Sequence, residues 1–205
     1  MIVKNVILEM LPSIWPLILF VSIVAITLRC AFLFKGGKKF VLYKEVLTLI
    51  FIIYILCLYY ILTYQDMNGG GINLVPFREI FRYEIGSYKF NKNVIGNILL
   101  FVPFGYFSAY YLNSRKLKTT VVVTLIVTTC AEIIQYYIGR VFDVDDIILN
   151  LIGGILGYLV FVGLSAIKDK LPKFMKSDGF LNFVLIVLVV LFIIFAFNID
   201  IFKYV

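Results

Sequence analysis

Val46-LTLIFIIYILCLYYILT-Tyr64 is an unbroken, uncharged apolar run. As a helix rising 1.5 Å per residue it reaches about 28 Å, close to the ~30 Å thickness of a bilayer's hydrocarbon. Five more stretches of similar character flank it, at about 11–34, 94–112, 119–138, 147–167 and 180–197. The chain as a whole is 62% hydrophobic, with a mean hydropathy of +1.03. Soluble domains are roughly 45–50% apolar, so the surplus points to lipid. The expected fold is all-α: a polytopic membrane helical bundle of six transmembrane helices. No small-x-small cleavage site follows the first stretch, and the charged Arg29-Cys30 pair ends it, so it reads as a retained helix.

Several chemistries are excluded. The 205 residues contain no histidine, which rules out a Ser-His-Asp triad and an HExxH zinc site. The Gly69-Gly70-Gly71 run lacks the Gly-Lys-Ser/Thr of a phosphate loop. Cys30, Cys57 and Cys130 sit in or beside apolar runs and read as packing thiols rather than disulfides. A net charge of +7 is also a feature of nucleic-acid binders, but its distribution reads as membrane orientation, and no nucleic-acid partner is expected.

The basic residues alternate between loops. Arg29, Lys35, Lys38, Lys39, Lys44, Arg115, Lys116, Lys118, Lys168, Lys170, Lys173 and Lys176 fall on one side, twelve in all. Lys4, Arg78, Arg82, Lys89, Lys92, Arg140 and Lys203 fall on the other, seven in all. The positive-inside rule places the larger set in the cytoplasm. Loops 65–92 and 139–146 and both termini are then outside.

The polar residues gather at that outer end. Asn73 and Arg78 lie in the long loop, and Asn97 opens the third helix. Glu132 and Gln135 share a face near the end of the fourth. Arg140, Asp143, Asp145, Asp146 and Asn150 follow. A carboxyl at the depth of Glu132 is costly, so it should face the bundle interior and meet a partner; Arg140 and Arg78 are the candidates. A fifth helix starting near Asp143 would place Asp143, Asp146 and Asn150 on one face, with carboxylates at the positive end of its dipole. Gly153 and Gly157 form a small-xxx-small pair for close helix approach. Pro103 and Gly105 are expected to kink the third helix.

Asn73-Leu-x-Pro-Phe77, Gly96-Asn97-x-x-Leu-Phe101-x-Pro103-x-Gly105, Glu132-x-x-Gln135 and Gly139-Arg140-x-x-Asp143-x-x-Asp146-x-x-x-Asn150-x-x-Gly153, in this order and spacing, resemble the VanZ-like family. The resemblance runs from about residue 46 to the C-terminus and is strongest over 73–157. It implies a VanZ-like membrane domain over 40–205, preceded by an additional transmembrane helix over 1–39. Asp145 stands outside the family pattern and is weighted below Asp143 and Asp146. The family's founding activity is resistance to teicoplanin, a lipid-tailed glycopeptide directed at cell-wall precursors. The resemblance implies a bacterial cytoplasmic membrane, with the polar cluster facing the wall.

The leading expectation is a pocket in the outer leaflet for a lipid, a lipid-linked cell-wall precursor or a lipoglycopeptide. Asn73, Arg78, Asn97, Glu132, Gln135, Arg140, Asp143, Asp146 and Asn150 would form it, with the guanidinium groups on an anionic headgroup. One alternative is an enzyme acting on a lipid headgroup. Asp143 and Asp146 would hold Mg²⁺ or Ca²⁺, and catalytic candidates would be Glu132, Asp143 and Asp146. Another is a proton-coupled lipid transporter using Glu132. The orientation is directly testable. Ser114→Cys in a cysteine-free background should resist an impermeant maleimide added outside and react after permeabilisation; labelling from outside contradicts the assignment.

Overall fold

Each of the six apolar stretches forms a helix. The computed structural model describes residues 2–35, 40–63 and 70–196. The helices are α1 (Ile2–Phe34), α2 (Leu42–Thr63), α3 (Tyr88–Tyr111), α4 (Leu117–Tyr137), α5 (Val144–Lys170) and α6 (Asp178–Ala196). Five of them, α1 to α5, are long and apolar enough to cross a membrane. The sixth falls below that length over its described apolar part, Asp178–Phe192. Its expected end at Phe197 lies outside the described residues, as do Tyr64, Gly69, Lys38, Lys39 and Lys203.

Local signals explain the ends. The hydroxyl oxygen of Ser87 accepts the N–H of Phe90 and caps α3, meeting one of the donors that a helix start leaves unpaired. Residues Asn91–Ile95 form a π-turn inside α3. Pro103 sits within the helix, and one turn before it the Tyr54 hydroxyl donates to the Leu100 carbonyl at 2.7 Å. The carbonyl that Pro103 leaves without its ladder donor is that of Leu99, the residue before. At the opposite end of the bundle, Arg29 grips Glu45 with two bonds of 2.6 and 2.7 Å, tying α1 to α2. Lys44 meets Asp178 at 3.2 Å and the Tyr43 N–H meets Asn182, joining α2 to α6.

The centre of the molecule is the seam between α3 and α5. A Cβ at Gly105 would strike the backbone of Gly154. At Gly153 it would strike the Ile98 carbonyl, and at Gly157 the Val102 carbonyl. Only hydrogen at these positions lets two backbones come this close, the arrangement expected of small residues in membranes. Leu58, Phe101 and Phe104 fill the space between α2, α3 and α4, and Ala109, Tyr158 and Phe161 pack the far end. Cys30 and Cys130 are exposed on the bundle surface and Cys57 is half-buried. The expected packing role therefore fails for two of the three; an apolar thiol suits a lipid-facing surface as well as an interior.

One element was not expected. Gly71–Asn73 (β1) and Val141–Asp143 (β2) pair as parallel strands, in the register Gly71 to Val141, Ile72 to Phe142 and Asn73 to Asp143. Helices α3 and α4 form the crossover that parallel pairing needs.

The seam supports a prediction. Gly153→Ala and Gly157→Ala should each lower stability by about 1–3 kcal/mol or more, the cost of overpacking. Gly163→Ala, where nothing lies within 4 Å, should be neutral. Thermal unfolding in detergent would check this; equal melting temperatures for all three variants would contradict the seam.

Candidate functional site

The parallel pair brings the two polar loops together at one end of the bundle, and the start of α5 carries three aspartates that hold them. Asp143 is the N-cap of α5: one of its carboxyl oxygens accepts the N–H of Asp145 at 2.9 Å. The same oxygen accepts the side-chain amide of Asn73, also at 2.9 Å. Burial raises the Asp143 pKa above its ordinary value, and the two hydrogen bonds oppose the rise. Asp146 accepts the side-chain amide of Asn97 at 2.6 Å, linking α5 to α3.

Asp145 is the most deeply engaged of the three and is 1% exposed. Its carboxyl oxygens accept the backbone N–H groups of Phe77, Glu79 (2.7 Å) and Ile80 (3.3 Å). Phe77 has a φ of 66°, a left-handed conformation unusual for a bulky side chain. Such conformations persist when surroundings over-determine them, and here Asp145 holds the Phe77 N–H. Ranking Asp145 below its neighbours was therefore wrong. Its partners are backbone amides, so no side-chain pairing in the sequence announces it.

Glu132, 1% exposed on α4, directs one carboxyl oxygen at the backbone N–H of Asp143, 3.0 Å away. A backbone amide, rather than the expected guanidinium, is thus its hydrogen-bond partner. Arg140 lies within electrostatic range of Glu132 and Asp146 while its guanidinium donates to the Leu62 carbonyl at 2.6 Å. Gln135 donates to the same carbonyl at 2.8 Å. Both residues therefore tie α4 and its following loop to the end of α2. The second oxygen of Glu132 and the amide oxygen of Gln135 are buried without a hydrogen-bond partner among the described residues.

Not all the expected site residues converge. Asn73, Glu132 and Asp143 are joined by hydrogen bonds, and the bonded pair Asn97 and Asp146, beside them at the same helix start, completes the group. Asn150 instead donates to the Thr128 hydroxyl at 2.9 Å, deeper in the bundle. Asp143, Asp146 and Asn150 thus reach β1, α3 and α4 respectively and do not line one cavity. Arg78 is exposed on the loop before α3, and no hydrogen bond among the described residues joins it to the group. No group of three or more His, Cys, Asp or Glu side chains among the described residues could hold a metal ion. Sequence reasoning also missed Thr120, Thr124 and Thr128. They precede Glu132 at four-residue intervals and are each fully buried. That spacing was the available signal.

The family model VanZ/LLP1 matches residues 47–168, which contain every residue of the bonded group and leave α1 and α6 outside. Protein VanZ of Enterococcus faecium is 29% identical over 150 residues, covering 72% of this chain and 85% of that protein. No solved structure matches the chain.

Removing the Asp145 carboxyl group should free the loop. Asp145→Ala leaves three backbone donors without their acceptor and should cost at least about 2 kcal/mol. Trypsin cleavage after Arg78 and Arg82 should accelerate; an unchanged cleavage rate would contradict the clamp.

Proposed function

The chain belongs to the VanZ/LLP1 family, and from that premise we propose that it binds an amphipathic ligand at the polar end of its bundle. The ligand class is a lipid, a lipid-linked cell-wall precursor or a lipid-tailed glycopeptide. The consequence of binding is lower susceptibility to teicoplanin-type antibiotics. In this reading the protein resides in the bacterial cytoplasmic membrane with its polar end toward the wall.

The observation that carries the reading is the pair of unpartnered acceptors on α4. Glu132 and Gln135 lie one turn apart, 1% and 2% exposed, each with a buried oxygen that receives no hydrogen bond among the described residues. Buried polar atoms are normally paired, and leaving one unpaired costs about 1–3 kcal/mol. Two acceptors side by side suit a ligand that presents donors, such as sugar hydroxyls, amides or an ammonium group. The neighbouring carboxyls of Asp143 and Asp146 are already engaged by asparagine amides, so their part is to hold Glu132 in place through the Asp143 N–H.

Glu132→Gln keeps the size and one acceptor of the side chain but removes its charge. The variant is expected to reach wild-type abundance in the membrane and to return antibiotic tolerance to that of cells lacking the protein. The checks are quantitative immunoblotting of membranes and growth in a graded series of a lipid-tailed glycopeptide. Full tolerance from a normally abundant Glu132→Gln protein would leave Glu132 a structural residue, since a neutral group is cheaper to bury.

A further inference from the structure

The loop that Asp145 holds runs on into the start of α3, and a cleft opens where the two meet. Arg82, Tyr83, Tyr88, Lys89, Lys92 and Asn93 line an open cleft of about 500 Å³. Lys89 and Lys92 are three residues apart on the first turns of α3, so they project from one side of the helix. Arg82 pairs with Glu79 at 3.0 Å and keeps its side chain 69% exposed. The lining itself holds three cations and no carboxylate, with Glu79 paired to Arg82 at its edge. Tyr83 lines the cleft beside Asn93 and is near enough to Asp146 to interact with its charge, so the cleft sits beside the polar group.

The loop that leads into this cleft is apolar on its surface. Phe81 is 82% exposed and Ile85 86%, with Leu74, Val75 and Phe77 also exposed on the same loop. In water such a set would be an exposed patch of the kind that marks an interaction site. Beside a charged cleft it matches a molecule that is apolar at one end and anionic at the other.

We propose that this cleft binds the phosphate group of an anionic amphiphile, with Arg82, Lys89 and Lys92 around the phosphate and Phe81 and Ile85 against the apolar chain. Guanidinium and ammonium groups are the strong donors to phosphate oxygens, and the lining offers them no carboxylate in competition. This deepens the functional reading above, on which it rests for the lipid character of the ligand. It also relocates the headgroup contact: cations of the loop and α3, rather than Arg78 and Arg140, take the phosphate.

The test uses the full chain in phosphatidylcholine nanodiscs, titrated with dioctanoyl phosphatidic acid and, separately, with inorganic phosphate. Saturable binding of the lipid phosphate is expected, weakened roughly tenfold or more in Lys89→Gln/Lys92→Gln, which removes two charge-assisted donors. Phe81→Ser/Ile85→Ser should weaken the lipid phosphate while leaving inorganic phosphate unaffected. Unchanged lipid affinity in the lysine double variant would overturn the site. Equal affinity for inorganic phosphate would overturn the amphiphile assignment and make this a site for free phosphate. Because antibiotic tolerance is not measured in this titration, failure of the cleft is distinguishable from failure of the functional reading.

Discussion

The carboxyl group of Asp145 is the contact on which the polar end of this protein depends. A loop of irregular backbone at the end of a membrane bundle has amide groups that no helix or full sheet can satisfy. Asp145 takes three of them at once, from Phe77, Glu79 and Ile80. It does so from the first turn of α5, where a carboxylate is also favoured by the helix dipole. Its neighbours extend the same device: Asp143 caps the helix and holds β1 through Asn73, and Asp146 holds α3 through Asn97. Three consecutive elements of the chain are thereby fixed to one helix start. The loop's apolar rim and the cations of its cleft inherit their positions from that anchorage.

The anchorage works because α5 is itself held. Its glycines meet the backbone of α3 directly, and Gly154 also abuts Thr124 of α4. Close backbone approach replaces the hydrophobic driving force that is missing between helices in lipid. Thr128 then receives the amide of Asn150, so α4 and α5 are in register along their buried faces. Glu132 lies one turn beyond Thr128 on that line. Its distance from the Asp143 N–H is thus set by the seam as much as by the loop.

The helices were legible because each of the six apolar stretches announces itself by length and hydropathy alone. So was the Asn97 to Asp146 link in outline, since both residues recur in the motif and share a depth in the membrane. The strands were not legible: Gly71–Asn73 and Val141–Asp143 are three residues each, too short for any alternation to register. Asp145 was undervalued because an acceptor of backbone amides leaves no complementary side chain to find. Arg140 was paired with Glu132 on reach alone, whereas its guanidinium donates to a carbonyl at the end of α2. Asn150 shared the spacing of the aspartates, but four residues of helical rise beyond Asp146 carry it past the loop and into the bundle.

The aspartates build the polar end, and Glu132 is the group proposed to act there. The two roles separate in hydrogen exchange. Amide exchange over residues 77–80 in the Glu132→Gln protein, reconstituted in nanodiscs, measures whether the loop survives loss of the Glu132 charge. Wild-type protection is expected, because those amides are held by Asp145 and the Asp143 N–H can still meet the amide oxygen of glutamine. Rapid exchange of these amides in Glu132→Gln would contradict it, making Glu132 one more strut of the loop rather than the group for which the loop is held.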